Sequence, residues 1–217
     1  MHTPSFRLLP LLLLSGACAT SSQGPSLTER REEIRQKNVE RRAEFEKNYR
    51  SQDGFQSTRW GMTLGEVKAL YPGARRVEAS TLTAVSTVVD RPAALSFYFT
   101  PQDQLAIVSV EFTQPGDVRT DHSELTSLMT GKYGSPSASS DSDVPDARGR
   151  TDPAAQLRYS LRSAWNTRES QIEILATRTP DEKTLILHYV SNVLGAPVLE
   201  RLQTEAAKRR RQQVKEL

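Results

Sequence analysis

The feature that most restricts this chain is a repeated alternation of apolar and polar residues in short runs bounded by turn formers. Between residues 94 and 100, Leu95, Phe97 and Phe99 fall on one side of an extended backbone. Between 105 and 113 the aligned set is Val108, Val110 and Phe112. Period-two patterning of this kind specifies strands with one buried face. The Thr- and Val-rich run 81–89 precedes them, and Pro101-Gln102-Asp103-Gln104 makes the turn between the later two. A second set follows: residues 157–165, with Leu157, Tyr159, Leu161 and Trp165 apart from Arg158, Ser160 and Arg162, then 171–177 and 184–191. Arg178-Thr179-Pro180-Asp181 separates the last two. Each set is an antiparallel meander needing a covering layer.

The cover is present in the sequence. Thr63 with Glu66 three residues later fits a capping box that opens a short helix bearing Leu64, Val67 and Leu70 on one face. Tyr71-Pro72-Gly73 stops it. Trp60 and Met62 are placed to staple its start onto a sheet. Residues 121–133 read as a second helix carrying Leu125, Leu128 and Met129, closed by Tyr133-Gly134-Ser135-Pro136. Residues 135–153, rich in Ser, Asp, Pro and Gly, read as a long loop. The expected class is therefore α+β, two short helices packed on antiparallel meanders in the order helix-βββ-helix-βββ, over residues 55–195.

Charged helices flank this body. Residues 27–50 contain no Gly or Pro, include the i,i+4 pairs Glu33–Lys37 and Glu46–Arg50, and offer only Ile34, Phe45 and Tyr49 as apolar contacts. Residues 196–217 start with Pro197 in a first turn, carry Val198, Leu199, Leu202 and Ala206, and end in Lys208-Arg209-Arg210-Arg211. Cations there suit a helix C-terminus, and they also suit anionic lipid heads or cell-wall polymer. Apolar residues make up only 36% of the 217-residue chain, and the deficit lies at its ends. Lys and Arg number 29 against 26 Asp and Glu, a near balance that argues against a nucleic-acid binder.

The N-terminus specifies a destination. Arg7 precedes an apolar run, Leu8 to Leu14, and Ser15-Gly16-Ala17 supply small residues for cleavage, so residues 1–17 read as a signal peptide. The run is too short to span a bilayer as a helix. Leu14-Ser15-Gly16-Ala17-Cys18 resembles the lipobox of bacterial lipoproteins, in which the cysteine receives a diacylglycerol and becomes the first residue. Cys18 is the only cysteine, so no internal disulfide competes for it. The resemblance implies anchoring through acylated Cys18, with residues 18–26 as a tether. Ala19, where the family uses aspartate to retain proteins at the inner membrane, favours the outer membrane facing the periplasm.

Trp60-Gly61-Met62-Thr63, Glu66-Val67 and Tyr71-Pro72 resemble a turn-and-helix opening found in exported proteobacterial proteins. Helix-then-meander domains behind a lipobox resemble the small lipoprotein of the outer-membrane β-barrel assembly machinery, and their tandem use is similar to the β-lactamase-inhibitor-protein fold. The resemblance implies protein binding and transfers no catalytic residue.

Catalytic chemistry leaves little trace. Of three histidines, His2 leaves with the signal, His122 stands near a helix start, and His188 lies on the strand face opposite Leu187 and Tyr189. Neither has a metal-ligand spacing. Asp141, Asp143 and Asp146 suggest a calcium loop, but Pro145 occupies a ligand position and no closing Glu follows. The expectation is a non-enzymatic, outer-membrane-anchored lipoprotein with no cofactor or metal and no catalytic residue. Its partners would be the bilayer, through Cys18, and an envelope protein, with no nucleic acid and no small-molecule substrate. An inhibitor or hydrolase-like module with a loop-built site, or a spacer between membrane and cell wall, are the alternatives.

Overall fold

A computed structural model describes residues 26–143 and 159–215. The signal segment, Cys18, Asp146 and Leu157 lie outside them. The described chain divides after Arg42 into two units. The first holds most of α1 (Leu27–Lys47), a helix with no buried residue. Local interactions hold it. Ser26 N–H donates to the Glu29 carboxylate at 2.6 Å, Glu29 N–H donates to Ser26 Oγ at 3.2 Å, and Lys37 Nζ sits 2.7 Å from Glu33.

The second unit contains α2 (Leu64–Leu70), β1 (Arg75–Glu78), β2 (Thr81–Val88), β3 (Arg91–Phe99) and β4 (Leu105–Phe112), then α3 (Val118–Tyr133) and β5 (Ala138–Asp143). It continues with β6 (Tyr159–Asn166), β7 (Ser170–Arg178), β8 (Lys183–Ser191) and α4 (Gly195–Lys215). The strands form one eight-stranded sheet in the order β1-β2-β3-β4-β8-β7-β6-β5, every pair antiparallel. The class is α+β, as the sequence pattern specifies. Two meanders meet at β4 and β8, the last strand of each.

Each meander has four strands rather than three. The additions are β1 and β5, which form the two edges of the sheet. Neither carries an apolar alternation. All four residues of β1 are exposed, and β5 reads Ala-Ser-Ser-Asp-Ser-Asp. Edge strands need bury little side-chain surface, because backbone pairing to one neighbour holds them. So residues 138–143, expected within a loop, are a strand. Asp141 lies on it with its carboxylate 2.6 Å from Arg119 of α3, which ties the edge to the helix layer. Among the described residues no group of His, Cys, Asp and Glu is arranged to hold a metal.

One sheet face is the core. Leu82, Leu95, Phe97, Val108, Val110, Leu161, Trp165, Ile172, Ile174, Leu185 and Leu187 point into it, under α2 and α3. The two helices enter the core less deeply than their apolar spacing suggests. Leu70 and Leu128 are 43% and 53% exposed, while Val67, Leu125 and Met129 are buried. α3 is fixed at its start by Asp121, which accepts the Gly116 N–H at 2.8 Å and lies 2.6 Å from Arg91 of β3. Trp60 is fully buried, and its indole N–H donates to Ser170 Oγ at 2.9 Å.

The capping box at α2 is complete. Glu66 N–H donates to Thr63 Oγ1 at 3.2 Å, and Thr63 N–H donates to the Glu66 carboxylate at 2.6 Å. That backbone bond first, and Arg50 at 2.8 Å second, pull the Glu66 carboxyl from its ordinary 4.5 to about 2. A carboxyl whose folded pKa is depressed contributes stability above its unfolded pKa and loses it as pH falls through the folded value. The expected result is that Thr63→Ala costs about 1 kcal/mol at neutral pH. Glu66→Gln should flatten the loss of stability between pH 4.5 and about 2. Urea midpoints measured across that range check both.

Candidate functional site

Among the described residues, the other face of the sheet is covered by a helix only where α4 packs at one end. Cross-strand register arranges its side chains in rows. One row is Tyr98, Ile107, Val190, Gln171 and Asn166. The next is Ser96, Ser109, His188, Glu173, Ala164 and Ala138, and the third is Ala94, Glu111, Ile186, Leu175, Arg162 and Ser140. α4 packs on the first row through a small second core of Ala106, Ile107, Leu194 and Val198, with Tyr98, Val190 and Leu202 against it. Its approach is close: a Cβ on Gly195 would stand 2.4 Å from Val190 Cγ1, so a larger residue would force that side chain to shift where the helix leaves the sheet. Ala206, expected on the apolar stripe, is exposed, because the stripe is used only over the first turns.

Between α4 and the sheet floor lies a groove of about 540 Å³, within the range typical of ligand clefts. Leu199 and Leu202 form its helix wall, while Tyr98, Ile107, Leu175 and Val190 form an apolar floor. Polar groups converge on the far side: Arg162, Asn166, Gln171, Glu173 and His188. Arg162 Nε donates to the Glu173 carboxylate, so this charge is paired across neighbouring strands. His188 stands directly opposite Glu173 on β8. Burial pushes the His188 imidazole below its ordinary 6.5, and the Glu173 charge opposes this more weakly. His188 is therefore neutral at neutral pH and offers one donor and one acceptor to whatever lies on the face. The period-two pattern places it here, on the side away from Leu187 and Tyr189.

His122 belongs to a different place. It lies on α3 with Nε2 3.4 Å from Ser163 Oγ, and burial lowers its pKa as well. Ser163 is only 2% exposed and its hydroxyl also meets Thr126 Oγ1 at 3.3 Å. The nearby Asp141 carboxylate is engaged by Arg119. The contact joins helix and sheet at the side of a cleft lined also by Arg119, Thr126 and Asp141. The structure thus keeps the two described histidines on opposite faces. The groove itself has no signature in the chain, since its wall and floor come from segments that meet only through sheet register.

No described helix is long and apolar enough to cross a membrane. Comparison of the chain with protein-family models, with curated proteins and with solved structures finds no match.

Proposed function

We propose that this protein is a lipoprotein held at the outer membrane through acylated Cys18, whose α+β unit works by binding an envelope protein and not by catalysis. The observation that carries the binding half is the bare sheet face with its groove. Leu175 and Ile186, half-buried and paired across β7 and β8, form an apolar spot on it, with Glu111, Arg162, Glu173 and His188 beside them. An apolar centre within a polar rim is the usual anatomy of a protein–protein contact. A sheet whose second face is left without a helix layer also has a reason to be kept apolar only if something covers it. The order of two helix-plus-meander halves keeps the likeness to the β-lactamase-inhibitor-protein fold within this proposal. The anchor rests on the Leu14–Cys18 pattern alone.

Two measurements test the reading. A photo-crosslinking residue at Leu175 should give one discrete adduct in intact cells, lost when Ile186→Asp is added. The same residue at Leu128, exposed on the helix layer, should give none. Equal products at both positions would refute the assignment of the face. Labelled palmitate should appear on the chain and be absent from Cys18→Ala; label retained by that variant would refute the anchor.

A further inference from the structure

The C-terminal half of α4 is not used by the groove. Lys208, Arg209, Arg210 and Arg211 follow one another there, all exposed. Arg209 reaches Glu78 of β1 at 3.0 Å. That bond locates the patch: β1 is the edge of the sheet, so the turns after Arg209 run past the last strand. β1 adds the exposed Arg75 and Arg76. Among the described residues Lys208, Arg210 and Arg211 have no acidic partner, and Glu78 is engaged by Arg209.

We propose that this basic helix end, with β1 beside it, docks on a membrane surface through anionic phospholipid headgroups. At about 100° per residue Lys208 and Arg211 lie about 60° apart and Arg210 about a further 100° round, so the three cover about 160° of the helix facing away from Glu78 and do not all converge on one small anion. Such a spread matches a diffuse negative plane. Juxtamembrane basic residues are attracted to one by roughly equal increments each. Of the exposed residues from Ala207 to Val214 only Val214 is a large apolar one, so the contact is electrostatic and shallow, without insertion. The proposal stands on a different surface from the open sheet face and does not depend on what that face binds.

The test uses the full chain as Cys18→Ala, so that no acyl chain contributes. Flotation measures partition into vesicles of phosphatidylcholine with about a third phosphatidylglycerol, relative to phosphatidylcholine alone. Taking this ratio cancels the apolar contribution of the N-terminal run. The expected ratio is well above one in low salt and falls toward one at about 0.5 M salt, where the screening length is a few ångströms. Lys208→Gln/Arg210→Gln/Arg211→Gln should lower the ratio about a hundredfold. The charge-keeping set Lys208→Arg/Arg210→Lys/Arg211→Lys should leave it unchanged. All three side chains are exposed, so folding is not at stake, and circular dichroism checks it.

A change below tenfold in the first variant overturns the proposal. So does loss of binding in the charge-keeping set, which would mean that shape and not charge is read. An equal loss from Arg30→Gln/Arg31→Gln/Arg35→Gln on α1 would also overturn it, since net charge alone would then explain the result. Tighter binding to duplex DNA than to the anionic vesicles at the same salt would assign the patch to nucleic acid instead.

Discussion

Replacing Trp60 with alanine should destabilise the folded state by about 3–5 kcal/mol, the range for emptying a large buried aromatic site. Trp60 has no exposed surface, and it links two parts of the unit distant in sequence. Its indole N–H donates to Ser170 Oγ at 2.9 Å, and that hydroxyl in turn donates to Asp53 at 2.8 Å. Ser170 opens β7 and is itself fully buried. Alanine therefore removes at once the packing and the N–H that Ser170 Oγ accepts. Trp60→Phe keeps most of the buried area and loses the bond, so it should cost about 1–2 kcal/mol more than a neutral swap. Domains of this kind are stable by only about 5–15 kcal/mol, so the alanine variant should lie close to its unfolding threshold. The chain has two tryptophans, so the fluorescence of buried Trp165 reports the urea transition of each variant cleanly. A shift below 1 kcal/mol for Trp60→Ala would show that this contact is not what closes the unit.

Gly61→Ala should be nearly as damaging, by a different route. Gly61 has φ +84°, a conformation in which a Cβ is strained. A Cβ there would also stand 2.0 Å from the Tyr49 carbonyl oxygen, a backbone atom that cannot rotate away. The turn is held on both sides. Gly61 N–H donates to Leu105 O at 2.9 Å, Leu105 N–H donates to Met62 O at 2.7 Å, and Ser51 N–H donates to Trp60 O at 3.1 Å. The backbone strain alone is worth about 1–3 kcal/mol, and displacing residues 49–51 adds to it. The expected signature combines a lower urea midpoint with faster proteolysis around residues 49–60. Gly131→Ala is the matched control. It lies inside α3 with nothing within 4 Å of its would-be Cβ, so it should stabilise by about 0.5–1 kcal/mol. A Gly61→Ala midpoint equal to the parent's would refute the steric argument.

Much of this architecture is legible in the chain, and the reason differs from element to element. Leu95, Phe97 and Phe99, or Val108, Val110 and Phe112, declare their strands because one face of each lies in the core. The same alternation places His188 on the opposite side correctly. β1 and β5 are silent because edge strands have backbone partners on one side only and bury almost nothing. Leu128 misleads for a related reason: at its spacing on α3 it could share a face with Leu125, but Met129 takes the inward position. The groove is illegible at any level of local reading. Its floor exists because Ile107 pairs with Val190 and Ser109 with His188, a register between distant segments. Its wall exists because α4 turns back across that seam.

The junction of β4 with β8 has a kinetic consequence. Within each half, strands pair with their neighbours in sequence, whereas the halves are joined in the sheet only by the pairs from Ile107–Val190 to Glu111–Ile186. Contacts between nearby residues form early, and those that close long stretches of chain form late. Folding should therefore proceed as two local assemblies that dock, with the central zipper as the slow step. Substitutions along it should retard refolding more than equally destabilising ones near either outer strand.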